Sequence, residues 1–352
     1  MKVGILSLKG NFNRGIGQGV QKYIYEIWNN TNRLAKTRGD SVDKIEFGYG
    51  NSYMLRKVSF TLMLGIKSFN GYDILHIPAP IMFNPRHGKE TKVVTTLHEF
   101  ALIRKDSPIY TEPRREGMFS GYIGRKIREQ VINSDYIIPN STQTEQEAIQ
   151  IGCDRNKIEV VPHAIDDKFI YTPVPERKQN KRFRLGFIGR IGSRKNVKFA
   201  IDSFKSIENQ KIDFEIWGNV VPDYAHAVKI PEGEDRIQLK GFAPEESIVK
   251  IFDSFDAFAF PSLYEGFGME ILEAQARGLP VITYAKAQIP DEIKKYCIEA
   301  KDERDMATII MDLKENGYAQ RTRKEAMEYA AQFNWNNCAK RTMIAYKNAM
   351  KL

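Results

Sequence analysis

Two acids eight positions apart, Glu265 and Glu273, are the first residues whose spacing suggests chemistry. Glu265 stands in the loop Glu265-Gly266-Phe267-Gly268, and Glu273 lies about one turn inside a helix read over residues 269–277. The loop acid can face a ligand while the helix acid reaches it from the side. Gly266 and Gly268 let backbone N–H groups, that of Phe267 included, come close to such a ligand, and the start of a helix favours an anion. Two acids on a surface helix would mean little alone. The whole string of turn, glycines and apolar flanks is much rarer by chance. A second candidate is the glycine-rich stretch 10–19, between a strand and a helix, where Gly15, Gly17 and Gly19 form a phosphate-cradle candidate. Their alternation does not fit the dinucleotide fingerprint, and a merely flexible loop is the other reading. A third is His98, which closes an apolar strand at 92–97. The carboxyl end of a parallel strand is where ligands bind, although a structural histidine is the competing reading.

These residues need elements to hold them. Ala257-Phe258-Ala259-Phe260 reads as a buried strand, broken by Pro261-Ser262. Good helix formers follow until Gly278 stops them, and Pro280-Val281-Ile282-Thr283 begins another strand. Strand, loop, helix and strand make a unit of a parallel sheet. The pattern recurs along the chain. Residues 2–8, 45–47, 72–77, 92–97 and 135–139 predict strands, 20–28 a helix, and Asn140-Ser141-Thr142 a helix cap. Residues 171–182 are polar, proline-bearing and basic, and predict a linker. The pattern restarts with a strand at 183–189 and a loop at 190–196. A helix then carries Val197, Ala200, Ile201, Phe204 and Ile207 at helical spacing, and strands follow at 213–217 and 236–239. After Ile298 the chain reads as helical. Asn334 caps a last helix with Trp335, Ala339, Met343, Tyr346 and Met350 on one face. The fold class is α/β: two Rossmann-like, doubly wound domains, 1–170 and 183–333, facing a cleft, with 334–352 as a terminal helix.

The string Ser262-Leu263-Tyr264-Glu265-Gly266-Phe267-Gly268, completed by Glu273, resembles the signature of the retaining glycosyltransferases of the GT-B fold, family 4. The resemblance covers most of the chain; it is tightest over 183–283 and loosest over 30–70 and 100–130. It implies that Glu265 contacts a donor sugar and that Glu273 holds the ribose of its nucleotide. Gly189-Arg190, four residues, then Lys195-Asn196 resembles the family's pyrophosphate clamp, so Arg190 and Lys195 are the implied cations, with Arg194 a weaker candidate that is expected to be solvated. The backbone from Leu239 to Phe242 is implied to read the base, and His98 to lie near the reacting sugar. The family shows Gly-Gly before the first helix; here Gly19 matches and Gln18 departs. The implied donor contacts are therefore Gly17, Gly19, Gly189, Leu239, Gly266, Phe267, Gly268 and Glu273, and His98, Arg190, Lys195 and Glu265 form the catalytic set. The terminal helix is implied to cross back onto the first domain.

The implied activity is retaining transfer of a hexose-type sugar from a nucleotide-diphosphate sugar, UDP or GDP type undecided, to a glycan, lipid-linked or other hydroxyl acceptor. No Asp-x-Asp occurs, so no metal ligand is assigned and no cofactor is expected. Arg190, Lys195 and backbone N–H groups would serve as fixed positive ends for the departing diphosphate. A nucleotide-sugar epimerase of the same fold and a non-catalytic basic scaffold are the alternatives. The intact set Arg190, Lys195, Glu265 and Glu273 speaks against the scaffold, and no nucleic acid is expected as partner.

Composition sets bounds. A chain of 352 residues suits two domains, and 42% hydrophobic with 28% charged residues describes a soluble globular protein. Cys153, Cys297 and Cys338 show no metal or disulfide spacing, which suits a reducing compartment. The start runs into a strand rather than a secretory signal, and no run of 18 apolar residues occurs. The expected location is the cytoplasm, peripheral on the membrane's cytoplasmic face. Residues 1–130 hold 21 Lys+Arg against 11 Asp+Glu, a balance of +10, while the remainder balances at −1. Basic and aromatic residues mix over 100–130, as suits an anionic membrane surface; a plain basic surface is the bland reading.

Overall fold

The computed structural model describes residues 1–11, 19–99, 120–176, 182–208, 211–230 and 232–352. The described residues separate into two compact units: those up to Ala164 together with Asn334–Leu352, and Ile165–Phe333.

The first unit contains β1 (Lys2–Leu8), α1 (Val20–Lys36), β2 (Ser41–Phe47), α2 (Tyr53–Ile66), β3 (Ile74–Ile77), β4 (Lys92–Leu97), α3 (Ser120–Ile132), β5 (Tyr136–Pro139) and α4 (Thr142–Gln150). Its strands form one parallel sheet in the order β2-β1-β3-β4-β5. Strands β3 and β5 are buried at every position, as befits near-continuous apolar runs in a sheet covered on both faces. Helix α1 buries Tyr23, Ile24 and Ile27 against β1 and β4 residues, and the same core takes Trp335, Ala339, Met343 and Tyr346 of the last helix. Ser141 and Asn334 accept from the backbone N–H groups of Thr144 and Asn337, as helix caps do.

The second unit contains α5 (Asp167–Tyr171), β6 (Phe183–Ile188), α6 (Val197–Lys205), β7 (Ile212–Trp217), β8 (Ile237–Gly241), α7 (Ile248–Asp253), β9 (Ala257–Phe260), α8 (Met269–Ala276), β10 (Val281–Tyr284), α9 (Asp291–Lys294), β11 (Cys297–Ala300), α10 (Glu303–Asn316) and α11 (Gln320–Ala330). The last helix of the chain, α12 (Trp335–Ala349), belongs to the first unit. The six strands run parallel in the order β11-β10-β9-β6-β7-β8. The order reverses between β6 and β9, which lie side by side, and that is where an open α/β sheet binds its ligand.

The sequence predicts helix after Ile298, and helices do run from Glu303 onward, but Cys297–Ala300 first pairs parallel to β10 as an edge strand. Four residues are too few for a period to show. The short α5, α7 and α9 are missing from the sequence reading. Helix α2 is missing from it too. It is apolar on its exposed side as well as its buried side, so no two-faced pattern marks it.

Candidate functional site

Three loops of the second unit are pinned at the carboxyl ends of β6, β9 and β10. Leu263 N–H donates to the Arg194 carbonyl at 2.9 Å, joining the β6 and β9 loops. Glu265 N–H donates to the Gln288 carbonyl at 2.9 Å, and Gln288 N–H to that of Leu263 at 2.8 Å, joining the β10 loop. The β6 and β7 loops also touch closely. Gly218 has φ 146°, and a Cβ there would fall 1.8 Å from the Gly189 carbonyl oxygen, so only glycine fits.

This scaffold brings four charged side chains together. Lys195 ends a one-turn helix, Ser193–Lys195, and is 6% exposed; Glu265 is also 6% exposed. The Lys195 Nζ lies 3.0 Å from Glu265 Oε1 and 2.9 Å from Glu270 Oε1, and 4.6 Å over the Phe260 ring. Arg194 Nη1 donates to Glu265 Oε2 at 2.7 Å and to the Tyr264 carbonyl at 3.0 Å. Burial alone would push the Glu265 carboxyl up and the Lys195 ammonium down. The neighbouring charges win. Lys195 and Arg194 hold Glu265 below the usual carboxylate range, and Glu265 with Glu270 holds Lys195 above the usual ammonium range. Both stay ionised near neutral pH.

The remaining expected residues fall around this cluster. Arg190 is exposed, and among the described residues no ion pair holds it. Gly189 has φ 152° and its missing Cβ faces Lys195 Cε and Glu270 Oε1 at 3.6 and 3.8 Å. Gly268, at φ 95°, precedes α8 and offers no side-chain cap, so the positive end of that helix opens beside Glu270. The Phe267 ring packs in the core 6.1 Å from Phe333, so what it and Gly266 can offer a ligand is backbone. Glu273 lies half-buried one turn into α8. Leu239 is in the edge strand β8 and 44% exposed.

One expectation needs correction. Arg194 is not a solvated cation; its partners are Glu265 and the Tyr264 carbonyl, because the β6 and β9 loops are tied at that residue. Lys195 is buried, with Glu265 and Glu270 on its ammonium. Sequence reasoning gave Glu270 no part. An acid in the first turn of a helix is common, and nothing in its spacing separates it from a simple dipole partner.

The first unit has its own cluster. Gly19, at φ 66°, opens α1 with no side chain to cap it; Gly17 lies outside the described residues. His98 follows β4, and its Nε2–H donates to the Pro78 carbonyl at 2.6 Å, which leaves Nδ1 as the acceptor. Burial pushes its pKa down to about 4, so the ring is neutral. The Tyr23 ring stands edge-on to His98 at 4.8 Å and stacks on His163 at 4.7 Å. Tyr23 OH meets Thr96 Oγ1 at 3.0 Å, Thr96 meets His76 Nε2 at 2.8 Å, and His76 Nδ1 meets Tyr346 OH at 2.7 Å. This polar chain runs from α1 through β4 and β3 to α12; the sequence places His76 and Thr96 in strands and Tyr346 on the apolar face of the last helix, and does not show that they meet.

The profile of the Glycosyltransferase Family 4 matches residues 28–169, and that of the Glycosyl transferases group 1 matches residues 172–333. A D-inositol 3-phosphate glycosyltransferase of Corynebacterium aurimucosum is 26% identical over 80% of this chain and 73% of its own. An O-antigen chain mannosyltransferase B of Escherichia coli is 31% identical over 32% of this chain and 31% of its own. The match to a protein of the Klebsiella pneumoniae cps region spans 66% of that protein. Among solved structures, a sucrose-phosphate synthase from Thermosynechococcus elongatus superposes with a TM-score of 0.71 at 16% identity, over 98% of both chains. HepE of Anabaena in complex with UDP-glucose gives 0.66 at 15% identity, again over 98% of both. Likeness at such identity shows the fold.

Proposed function

Because the chain belongs to the group 1 glycosyl transferases of the GT-B fold, we propose that it moves a hexose-type sugar from a nucleoside-diphosphate sugar to a hydroxyl of a glycan or lipid-linked acceptor, with retention and without a metal. The observation that carries this reading is the Arg194–Glu265–Lys195–Glu270 cluster, built on the buried pair Glu265 and Lys195, at the point where the second sheet reverses its order. The fold likeness to HepE with UDP-glucose, and to TarM of S. aureus with UDP and alpha-GlcNAc-glycerol, supports a UDP-type donor. The half-buried Glu273 would hold the ribose, the exposed backbone of edge strand β8 the base, and Gly189 and the α8 start the diphosphate.

The chemistry follows from the charge states. Glu265 has no proton to give, so it accepts hydrogen bonds from sugar hydroxyls and positions the ring. As the C1–O bond to the diphosphate breaks, negative charge grows on the leaving oxygens. Lys195 and Arg190 act there as preorganised cations. The acceptor oxygen attacks C1 from the face the diphosphate leaves, and the leaving phosphate oxygen takes the acceptor's proton. One C–O bond forms, one breaks, and no protein base is required. Glu270 holds Lys195 until the diphosphate arrives.

The test is incubation of the full chain with UDP-glucose, UDP-N-acetylglucosamine and GDP-mannose, each with a panel of glycan and lipid-linked hydroxyl acceptors, in excess chelator. Nucleoside diphosphate release, and a glycoside of the donor's own anomeric configuration by NMR, is the expected result. Release that needs added Mg²⁺ or Mn²⁺ contradicts the metal-free part. An isomerised nucleotide sugar without diphosphate release would make the protein an epimerase.

A further inference from the structure

Helix α2 turns an apolar stripe to solvent. Leu55, Val58, Leu62 and Ile66 are 57%, 53%, 64% and 73% exposed. At 3.6 residues per turn they share about 80° of arc and run about 16 Å along the helix. The opposite side is anchored, with Phe60 and Leu64 buried among Leu8, Phe47 and Phe69. Tyr49, itself 61% exposed, is held beside the helix by a 2.6 Å hydrogen bond from its N–H to Ser59 Oγ. The loop can lie that close because residue 50 is glycine; a Cβ there would sit 2.5 Å from Leu55 Cβ.

A contiguous exposed apolar stripe marks a contact surface, and the surrounding charge says with what. From Phe47 to Tyr72 the sequence holds Arg56, Lys57 and Lys67 and no Asp or Glu. Among the described residues, neither Arg56 nor Lys67 has a carboxylate partner: Arg56 Nε is buried with no hydrogen bond, and Lys67 Nζ lies 5.4 Å over the Phe47 ring. The stripe belongs to the basic stretch of the chain, residues 1–130, with its balance of +10. A second copy packed stripe to stripe would set these cations against one another. A bilayer with anionic headgroups satisfies both halves of the surface at once, acyl chains taking the stripe and phosphates the cations.

We propose that α2 docks this protein on an anionic lipid bilayer, with Leu55, Val58, Leu62 and Ile66 in the interface. This goes beyond the transfer chemistry and stands or falls separately from it. It also places the lipid contact elsewhere than the sequence did. Of the run 100–130, only 120–130 lies among the described residues. There, in α3, the exposed Tyr122 and Ile123 make a smaller patch, and Lys126 is already paired with Glu129.

The test is co-sedimentation of the full chain with vesicles of phosphatidylcholine alone and of phosphatidylcholine mixed with phosphatidylglycerol, with UDP affinity and melting temperature measured in parallel. Binding to the anionic vesicles alone, weakened by salt, is expected. Leu62→Ser with Ile66→Ser should lower vesicle affinity roughly 100-fold, and Lys67→Glu roughly tenfold. UDP affinity and melting should stay as in the wild type, and Ile123→Ser in α3 should bind vesicles normally. If the double serine variant fails to fold, Leu55→Ser with Val58→Ser tests the other end of the stripe. Equal binding to both vesicle types, normal binding by the α2 variants, or a dimer that the α2 variants split without any vesicle binding would each overturn the proposal.

Discussion

The ammonium of Lys195 lies 2.9 Å from Oε1 of Glu270, in the first turn of α8, and 3.0 Å from Oε1 of Glu265, in the loop before it. One buried cation is shared between two acids. In the proposed reaction, one of them must let it go.

Glu270 is the acid expected to yield, since it is less buried than Glu265. Its charge opposes an arriving diphosphate. A like charge ~5 Å away costs about 3 kcal/mol at an effective dielectric constant of about 20, part of which is offset by the pairing it gives Lys195. Glu270→Gln is therefore expected to bind UDP several-fold more tightly, read by calorimetry. Unchanged or weaker binding would remove Glu270 from this role.

Lys195 and Arg190 should differ in stability although both are assigned to the diphosphate. Lys195→Met leaves two carboxylates facing each other beside a buried wall, a loss of about 3–5 kcal/mol by the usual cost of breaking a buried pair. Arg190 is exposed, so Arg190→Ala should melt as the wild type does. Equal melting of both variants would contradict the burial of Lys195.

Acid should weaken the first unit before it reaches the charged cluster of the second unit. Burial lowers the pKa of His76 to about 3 and of His98 to about 4, against 6.5 for a solvated histidine. Below pH 6.5 the unfolded chain takes up protons that the native rings refuse, so stability falls as pH drops from about 6.5 towards 4. For His76, with no exposure, the slope is about 1.4 kcal/mol per pH unit. Carboxylates such as Glu265 act lower, since their unfolded value is 4.5. Melting curves at about pH 7 and pH 5 should show a drop that shrinks in His76→Gln. An identical drop in the variant would show that His76 is not titrating.

Arg277 should be as costly a charge to remove as Lys195. It is fully buried, pairs through Nε and Nη2 with Asp253 at 2.8 and 2.9 Å, and donates to the carbonyls of Phe169, Thr172 and Pro173. Arg277→Met leaves those oxygens and Asp253 without it, a loss of about 3–5 kcal/mol. A melting temperature near that of the wild type would contradict this.

Sequence legibility followed the physics of each element. Strands covered on both faces, such as Ala257–Phe260, announce themselves as short apolar runs, and the caps at Ser141 and Asn334 as polar starts. Loop residues with special backbone geometry, Gly189 and Gly268, were legible because few other residues suit those positions. The partners within the cluster were not. Whether Arg194 points to solvent or to Glu265 depends on the β6 and β9 loops being tied by Leu263, a contact between residues some 70 positions apart that no local pattern records. The chain Tyr23, Thr96, His76 and Tyr346 is hidden for the same reason, its members lying on four separate elements. The domain limits and the lipid contact drawn over 100–130 fall partly on residues outside those described.

The stabilisation of a departing diphosphate by protein cations is tested most directly on Arg190, the one whose removal should leave the fold intact. Single-turnover rates and affinities for UDP-glucose, or whichever donor turns over, should be compared between the wild type and Arg190→Ala in excess chelator, with a melting curve for each. A cation that acts mainly on the leaving group changes the rate more than the affinity. The expected result is a rate lower by roughly 10²–10³, the scale of one preorganised donor, with donor affinity changed far less. A folded Arg190→Ala protein that turns over at nearly the normal rate would contradict the assignment.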